Sequence, residues 1–474
     1  PLPRQLAGKL RIAHPDSAMA PVGWWVRHRI PRRAIAYVLD PAGVPDTLCL
    51  TDQGAEPPGA PSPWQARTTP TLERATYKVP RYADTDNLRG FPAADCATFQ
   101  SQLELTYGGR TLILQPGATG PHGGPFYWES VQLDPLWSNR VARGIRVGGV
   151  IYNEDTYLWA DLYLVLFANG VIDLTAHFVN TKLHLKGYDF QGLPMLRLAG
   201  DGLRPRALSL PRDGIRAHLG SLQLNFHDSS TLFSEEYPAR LDAVGSEAHV
   251  YPFARTFNPQ RPEAPPLEWP AGFARTVRLQ LSVSEAPPLV ARYRAPAWWY
   301  ALCDEPWTGG WLPVRGACAA LGETISHQAR ASLTRGRFDG GSGSQSLGDE
   351  QHGLSGVGAN DGDAGYGMLQ NYYIAGRPEL LTAALDFCYF WADIMVDHTD
   401  FTVRQWVGGW GWKTCAYTKF RDVLFGYLET GDPYLLDTAE MAAEGHWAWY
   451  RANWPRSAIG RDNFELGGWA LMWR

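Results

Sequence analysis

Helical segments that each follow a long loop recur along the C-terminal part of this chain, and no other feature limits its possible folds so strongly. They begin near Tyr366, Thr414 and Glu465, roughly fifty residues apart, the spacing of a helix–turn–helix repeat. The first segment runs to Ala375 and turns at Gly376-Arg377-Pro378. Over Glu379–Asp397, Leu380, Leu381, Ala384, Leu385, Cys388, Trp391, Ile394 and Met395 then recur at helical spacing. The second runs from Thr414 to Thr430, turns at Gly431-Asp432-Pro433 and returns from Tyr434 to Tyr450. The third starts at Glu465 and keeps its helical pattern to Arg474. Hairpins of one length bury their apolar faces on each other, as an array or a closed toroid. Short turns then gather at one end and the long loops, 335–363, 399–413 and 452–464, at the other. That rim is where function is expected. A closed ring of six hairpins needs roughly three hundred residues, and about 175 follow the β part, so the ring is expected to continue beyond Arg474 or to be completed by a second chain.

The chain before these hairpins reads as β structure. Residues 1–135 hold short β-prone runs, among them Trp24–Ile30, Ala34–Leu39, Phe99–Tyr107 and Thr111–Leu114, bounded by Pro, Gly and Asp; they predict a β-rich barrel or sandwich. Residues 136–290 continue with Tyr157–Phe167 and Val171–Val179 joined through Ala168-Asn169-Gly170, a strong hairpin signal. Further strands are expected over Gly220–Asn225, Ala248–Ala254 and Thr276–Val283, and an antiparallel sandwich is the natural fold. His177, His184, His218, His227 and His249 fall here without partners at ligand or triad spacing and read as structural. The expected fold class is therefore multidomain, β then α: a β-rich domain over 1–135, an antiparallel β-sandwich over 136–290 and a partial (α/α) toroid over 291–474.

Composition narrows the function. With 45% hydrophobic and 19% charged residues, the 474-residue chain is globular in type. A formal charge of −5 with no basic stripe argues against nucleic acid as a partner. No run of eighteen apolar residues suggests a membrane span. Six cysteines without CxxC or Cys/His spacing read as free thiols, which favours a cytoplasmic over a secreted protein, although a cleaved leader would leave no trace.

The glycine-rich stretch 340–363 gathers Asp349, Glu350, His352, Asn360, Asp361 and Asp363, then enters the Tyr366 helix, with Asp363 where an N-cap belongs. Trp406, Trp410 and Trp412 lie in or beside Gly408-Gly409-Trp410-Gly411-Trp412, where flat aromatics suit the apolar faces of sugar rings. The order of β domain, β-sandwich and helical hairpins resembles the exo-rhamnogalacturonan lyase-like proteins. The resemblance rests on that architecture, on the Asp361-Gly362-Asp363 loop entering a helix, and on Asn453-Trp454-Pro455-Arg456 to Arg461-Asp462 before the next one. It implies an N-terminal barrel, a central sandwich, an α/α toroid and activity on a uronic-acid glycan; no catalytic residue is carried over from it.

A lyase must neutralise the uronate carboxylate, remove the C5 proton and protonate the leaving oxygen. Arginine suits the first task through its bidentate fork. Tuned Lys, His or Tyr suits the others. The rim and the helix starts beside it offer Arg404, Lys413, Tyr417, Tyr366 and His352 for this chemistry, with Arg461 for binding. An inverting hydrolase instead needs two carboxylates roughly 6.5–9.5 Å apart; Asp361 or Asp363 could pair with Asp462 or Glu465. A non-catalytic glycan binder would use Asn360, Trp406, Trp410, Trp412, Arg461, Asp462 and Glu465 for contacts alone. No cofactor is expected; the Asp361–Asp363 pair could bind Ca²⁺, but without further spaced oxygens the signal is weak. The expected partner is an acidic oligosaccharide or polysaccharide.

Overall fold

The computed structural model describes residues 11–12, 17–25, 30–38, 50–51, 63–77, 94–119, 125–153, 156–180, 190–200, 216–219, 222–226, 240–244, 246–252, 268–269, 272–283, 364–375, 378–403 and 420–453. Two short pairs come first: β1 (Arg11–Ile12) with β4 (Leu50–Thr51), and β2 (Ser17–Trp25) with β3 (Ile30–Val38). A meander follows, each strand antiparallel to the one before: β5 (Gln65–Tyr77), β6 (Ala94–Tyr107), β7 (Arg110–Ala118), β8 (Phe126–Ser138), β9 (Ala142–Asn153), β10 (Thr156–Phe167) and β11 (Val171–Val179). β12 (Phe190–Gln191) and β18 (Glu268–Trp269) form a separate pair.

Later strands extend the meander at two places. β19 (Ala274–Ser282) joins β11 and is followed by β15 (Leu222–Phe226) and β14 (Arg216–Leu219). β13 (Pro194–Gly200) joins β7 and is followed by β17 (Glu247–Tyr251) and β16 (Arg240–Val244). β7 thus serves three neighbours: β6 and, at its last two residues, β8 on one side, and β13 on the other. The product is one thirteen-stranded sheet, curled into an open half-barrel. β8 crosses position 135, where the sequence divides two β regions, and its register with β9 shifts there, between Pro135 and Trp137.

Alternation along the strands gives the sheet two different faces. Leu158, Ala160, Leu162, Leu164 and Leu166 of β10 lie on one face with Ile172, Leu174, Ala176 and Phe178 of β11, and all are buried. The β10–β11 turn carries Gly170 at φ +91°, where a side chain would press on the Tyr107 ring. Two long-range tethers hold that turn: Trp64 Nε1 donates to Phe167 O (2.6 Å) and the Tyr107 hydroxyl to Ala168 O (2.9 Å). β9 carries few sequence signals of a strand because Gly144 and Gly148 interrupt it; the indoles of Trp137 and Trp159 occupy the space their side chains would fill.

The other face is covered by helices. α1 (Ala364–Ala375) packs on α2 (Pro378–Phe390), which passes into a π-turn at Trp391–Met395, closed by Val396 N donating to Trp391 O (3.0 Å). α3 (Phe420–Thr430) and α4 (Pro433–Asn453) form the second hairpin. Gly431 ends α3 at φ +72°. Asp432 caps α4 by accepting from Tyr434 N (3.1 Å), and proline stands at the first helical position. Both α2 and α4 start at the proline of a Gly-x-Pro turn. The expectation of a single helix over 379–397 is corrected at the π-turn, whose wider backbone carries Asp393 to the sheet.

Candidate functional site

α1 and α3 lie side by side and run in the same direction. Asp422, in the first turn of α3 and fully buried, accepts from Gly365 N (3.2 Å) and Tyr366 N (2.8 Å) at the start of α1. Near the opposite ends, the Tyr373 hydroxyl donates to Glu429. Both Tyr366–Asp422 and Tyr373–Glu429 span 56 residues, so the two helices match turn for turn. The points at which the chain enters α1 and α3 are therefore neighbours. A carboxylate reaching across from the next hairpin satisfies the free N–H groups of α1, a role the sequence assigns to Asp363; Asp363 itself lies outside the described residues.

Of the residues selected from the sequence, Tyr366 is described. It sits in the first turn of α1, 9% exposed, its ring 4.7 Å from that of Phe425 and 5.9 Å from the Arg421 guanidinium. His352, Asn360, Asp361, Arg404, Trp406, Trp410, Trp412, Lys413, Tyr417, Arg461, Asp462 and Glu465 lie outside the described residues. His446, read from the sequence as a packing residue, is buried in α4, and burial pushes its imidazole down to about 4.

A second constellation lies between the sheet and the helices. His177 of β11 pairs across the ladder with Asp161 of β10 on one side and Thr276 of β19 on the other. Its Nδ1 meets Thr276 Oγ1 at 2.8 Å, and its Nε2 meets Asp432 Oδ2 at 2.9 Å. The imidazole stacks on Tyr434 at 3.9 Å. Asp393, carried by the π-turn, accepts from Thr276 N (2.6 Å), from Thr276 Oγ1 (2.9 Å) and from the Tyr434 hydroxyl (2.7 Å). Asp432 also accepts from the Tyr389 hydroxyl (2.8 Å), and the Arg278 guanidinium lies 5.0 Å over that ring. Beside this group, Arg146 of β9 bridges Asp161 (2.6 Å) and Asp437 of α4 (2.7 Å).

The electrostatics follow from burial. Burial raises the Asp393 carboxyl against the pull of His177, Tyr434 and Thr276. It raises Asp161 too, with Arg146 opposing. It pushes the Arg275 guanidinium down to about 10, with Asp393 holding it partly up. The tyrosine hydroxyls of Tyr389 and Tyr434 move well up for the same reason, with the nearby carboxylates adding to the shift.

His177, Thr276, Asp393 and Asp432 are each at most 1% exposed, which suits them to joining two layers and not to receiving a substrate. Sequence reading leaves His177 without partners because they lie 99 and 255 residues away. The available signal is the polar series Asp173, Thr175, His177 facing Thr276, Arg278, Gln280 in two strands whose other faces, Arg275 excepted, are apolar. Among the described residues no group of three or more His, Cys, Asp or Glu is arranged to hold a metal, and no helix is long and apolar enough to cross a membrane. Compared with known proteins, the chain matches no family model, no curated protein and no solved structure.

Proposed function

We propose that the chain is a carbohydrate-active enzyme, a lyase that cleaves a uronic-acid glycan by β-elimination on the loop rim of an (α/α) toroid set beside a β-sandwich. The observation that carries this reading is the Asp422 bridge. It makes the starts of α1 and α3 neighbours, and the segments leading into those two helices carry most of the chemistry selected from the sequence. In this reading Arg404 neutralises the substrate carboxylate, while His352, Lys413, Tyr366 and Tyr417 supply base and acid. Asp361 and Asp363 belong with these catalytic groups, Asn360, Arg461, Asp462 and Glu465 bind hydroxyls, and Trp406, Trp410 and Trp412 hold sugar faces.

The test is incubation of the protein with acidic oligosaccharides while the ultraviolet absorbance of an unsaturated uronate is followed. A rise supports elimination. New reducing ends without that rise replace it with hydrolysis and point to the carboxylates of Asp361, Asp363, Asp462 and Glu465. No cleavage of any acidic glycan overturns the enzyme reading. Given activity, Arg404→Ala, Lys413→Ala and Asp361→Asn are made separately, and at least one is expected to lower turnover by about 10²–10⁴-fold. Full activity in all three overturns the site assignment.

A further inference from the structure

The contact between sheet and helices is a chain of three hydrogen bonds: Asp393 Oδ1 with Thr276 Oγ1, Thr276 Oγ1 with His177 Nδ1, and His177 Nε2 with Asp432 Oδ2. Each bond needs one hydrogen between its two heavy atoms. A threonine hydroxyl brings one, a neutral imidazole brings one, and ionised carboxylates bring none. Other nearby donors are already engaged: Thr276 N points at Asp393 Oδ2, the Tyr434 hydroxyl at Asp393 and the Tyr389 hydroxyl at Asp432. Two hydrogens for three bonds would leave a pair of lone pairs facing each other among side chains at most 1% exposed, an arrangement that burial penalises strongly.

We infer that this chain retains one dissociable proton beyond those two, as imidazolium at His177 or as a carboxylic acid at Asp393 or Asp432, and that the proton latches the helical hairpins onto the sheet. Charged groups surround His177 on several elements. Asp161 from β10, Asp393 from the π-turn, Asp432 from the α3–α4 turn and Asp437 from α4 are four carboxylates. The guanidiniums on this face are Arg146 of β9 and Arg278 of β19, while Arg275, one residue along β19 and on the opposite face, acts on Asp393. His398, which follows the π-turn, uses its Nε2 on Ala392 O at 2.7 Å. Burial moves Asp393 in the direction that suits an acid storing a proton.

The sign of the pH effect follows. In the unfolded chain a histidine releases its proton near about 6.5 and an aspartic acid near about 3.9. Above about 6.5 the folded chain then holds one proton more than the unfolded chain, so stability falls as pH rises. The folding constant drops about tenfold per pH unit until the folded chain releases the proton too.

The experiment is chemical denaturation of the full chain at a series of pH values from about 6.5 upward. Wild type is compared with Asp432→Asn, whose amide supplies the missing hydrogen without an acid. The variant is expected to lose about tenfold less per pH unit than wild type; equal slopes overturn the latch. A second measurement uses the wild-type chain alone, well above about pH 6.5. Nitrogen NMR of His177 or the infrared carbonyl stretch of a buried carboxylic acid must show the retained proton. A neutral imidazole together with no carboxylic acid signal also overturns it.

Discussion

Leu162 and Asp161 are consecutive residues of β10, both 2% exposed or less, and they face opposite ways. Leu162 belongs to a face held by area removed from water, where side chains need only be apolar and of fitting size. Asp161 belongs to a face held by Arg146, by its neighbour His177 and by the hairpin that Asp432 and Asp437 bring down. A mismatch on the first face leaves a cavity. A mismatch on the second leaves a charge or a hydrogen bond unmatched, so each partner there specifies another. The polar face thus fixes where the helices dock, while the apolar face fixes only that the sheet curls over a core.

Removing a countercharge should strike hardest. Arg146→Leu is expected to destabilise the fold by about 3–5 kcal/mol in urea unfolding, because Asp161 then stays buried without its guanidinium. Adding Asp161→Leu should recover most of that loss; a double variant no more stable than the single would show that charge is not what holds this face. On the apolar face, Leu162→Ala should cost about 2–5 kcal/mol through lost transfer energy and a cavity, without altering the pH dependence. Asp422→Ala should cost about 1–2 kcal/mol. Its effect should be local, with faster amide exchange at Gly365 and Tyr366 and unchanged exchange in β10 and β11. The smallest effect belongs to Asp437→Asn. This carboxylate is 40% exposed, and its share of Arg146 should be worth at most about 1 kcal/mol and fade with added salt.

The same contrast explains what could be read from the sequence. β10, β11 and the Asn169-Gly170 turn between them are visible as alternation and turn chemistry, since one face of each strand meets the core. The Gly-x-Pro turns likewise announce α2 and α4. β5 and β9 are harder to see. Gln65 to Thr71 is mostly polar with a proline at 70, and β9 uses glycines so that indoles can lie over it. The π-turn has no local signature, because its reason is a hydrogen bond that Asp393 accepts from a strand 117 residues away. His177 and Asp432 look ordinary one at a time, a histidine in an alternating strand and an aspartate in a turn. Only their meeting across 255 residues makes them a pair. For the rim chemistry, sequence spacing supplies the candidates, and the structure adds the Asp422 bridge that draws the two entry points together.

The meander has a consequence in time. From β5 to β11 every strand pairs with its predecessor, so that part of the sheet can assemble in the order the chain is made, through closures far shorter than the later ones. β19 must find β11 across the whole insertion that holds β12 to β18, and Asp432 must find His177 across a far longer one. Such distant closures are slow, and here each presupposes the surface the earlier strands have built. The hairpins thus dock on a surface that strands far earlier in the chain supply, and the separation of 255 residues between His177 and Asp432 makes that contact among the most distant the fold must close.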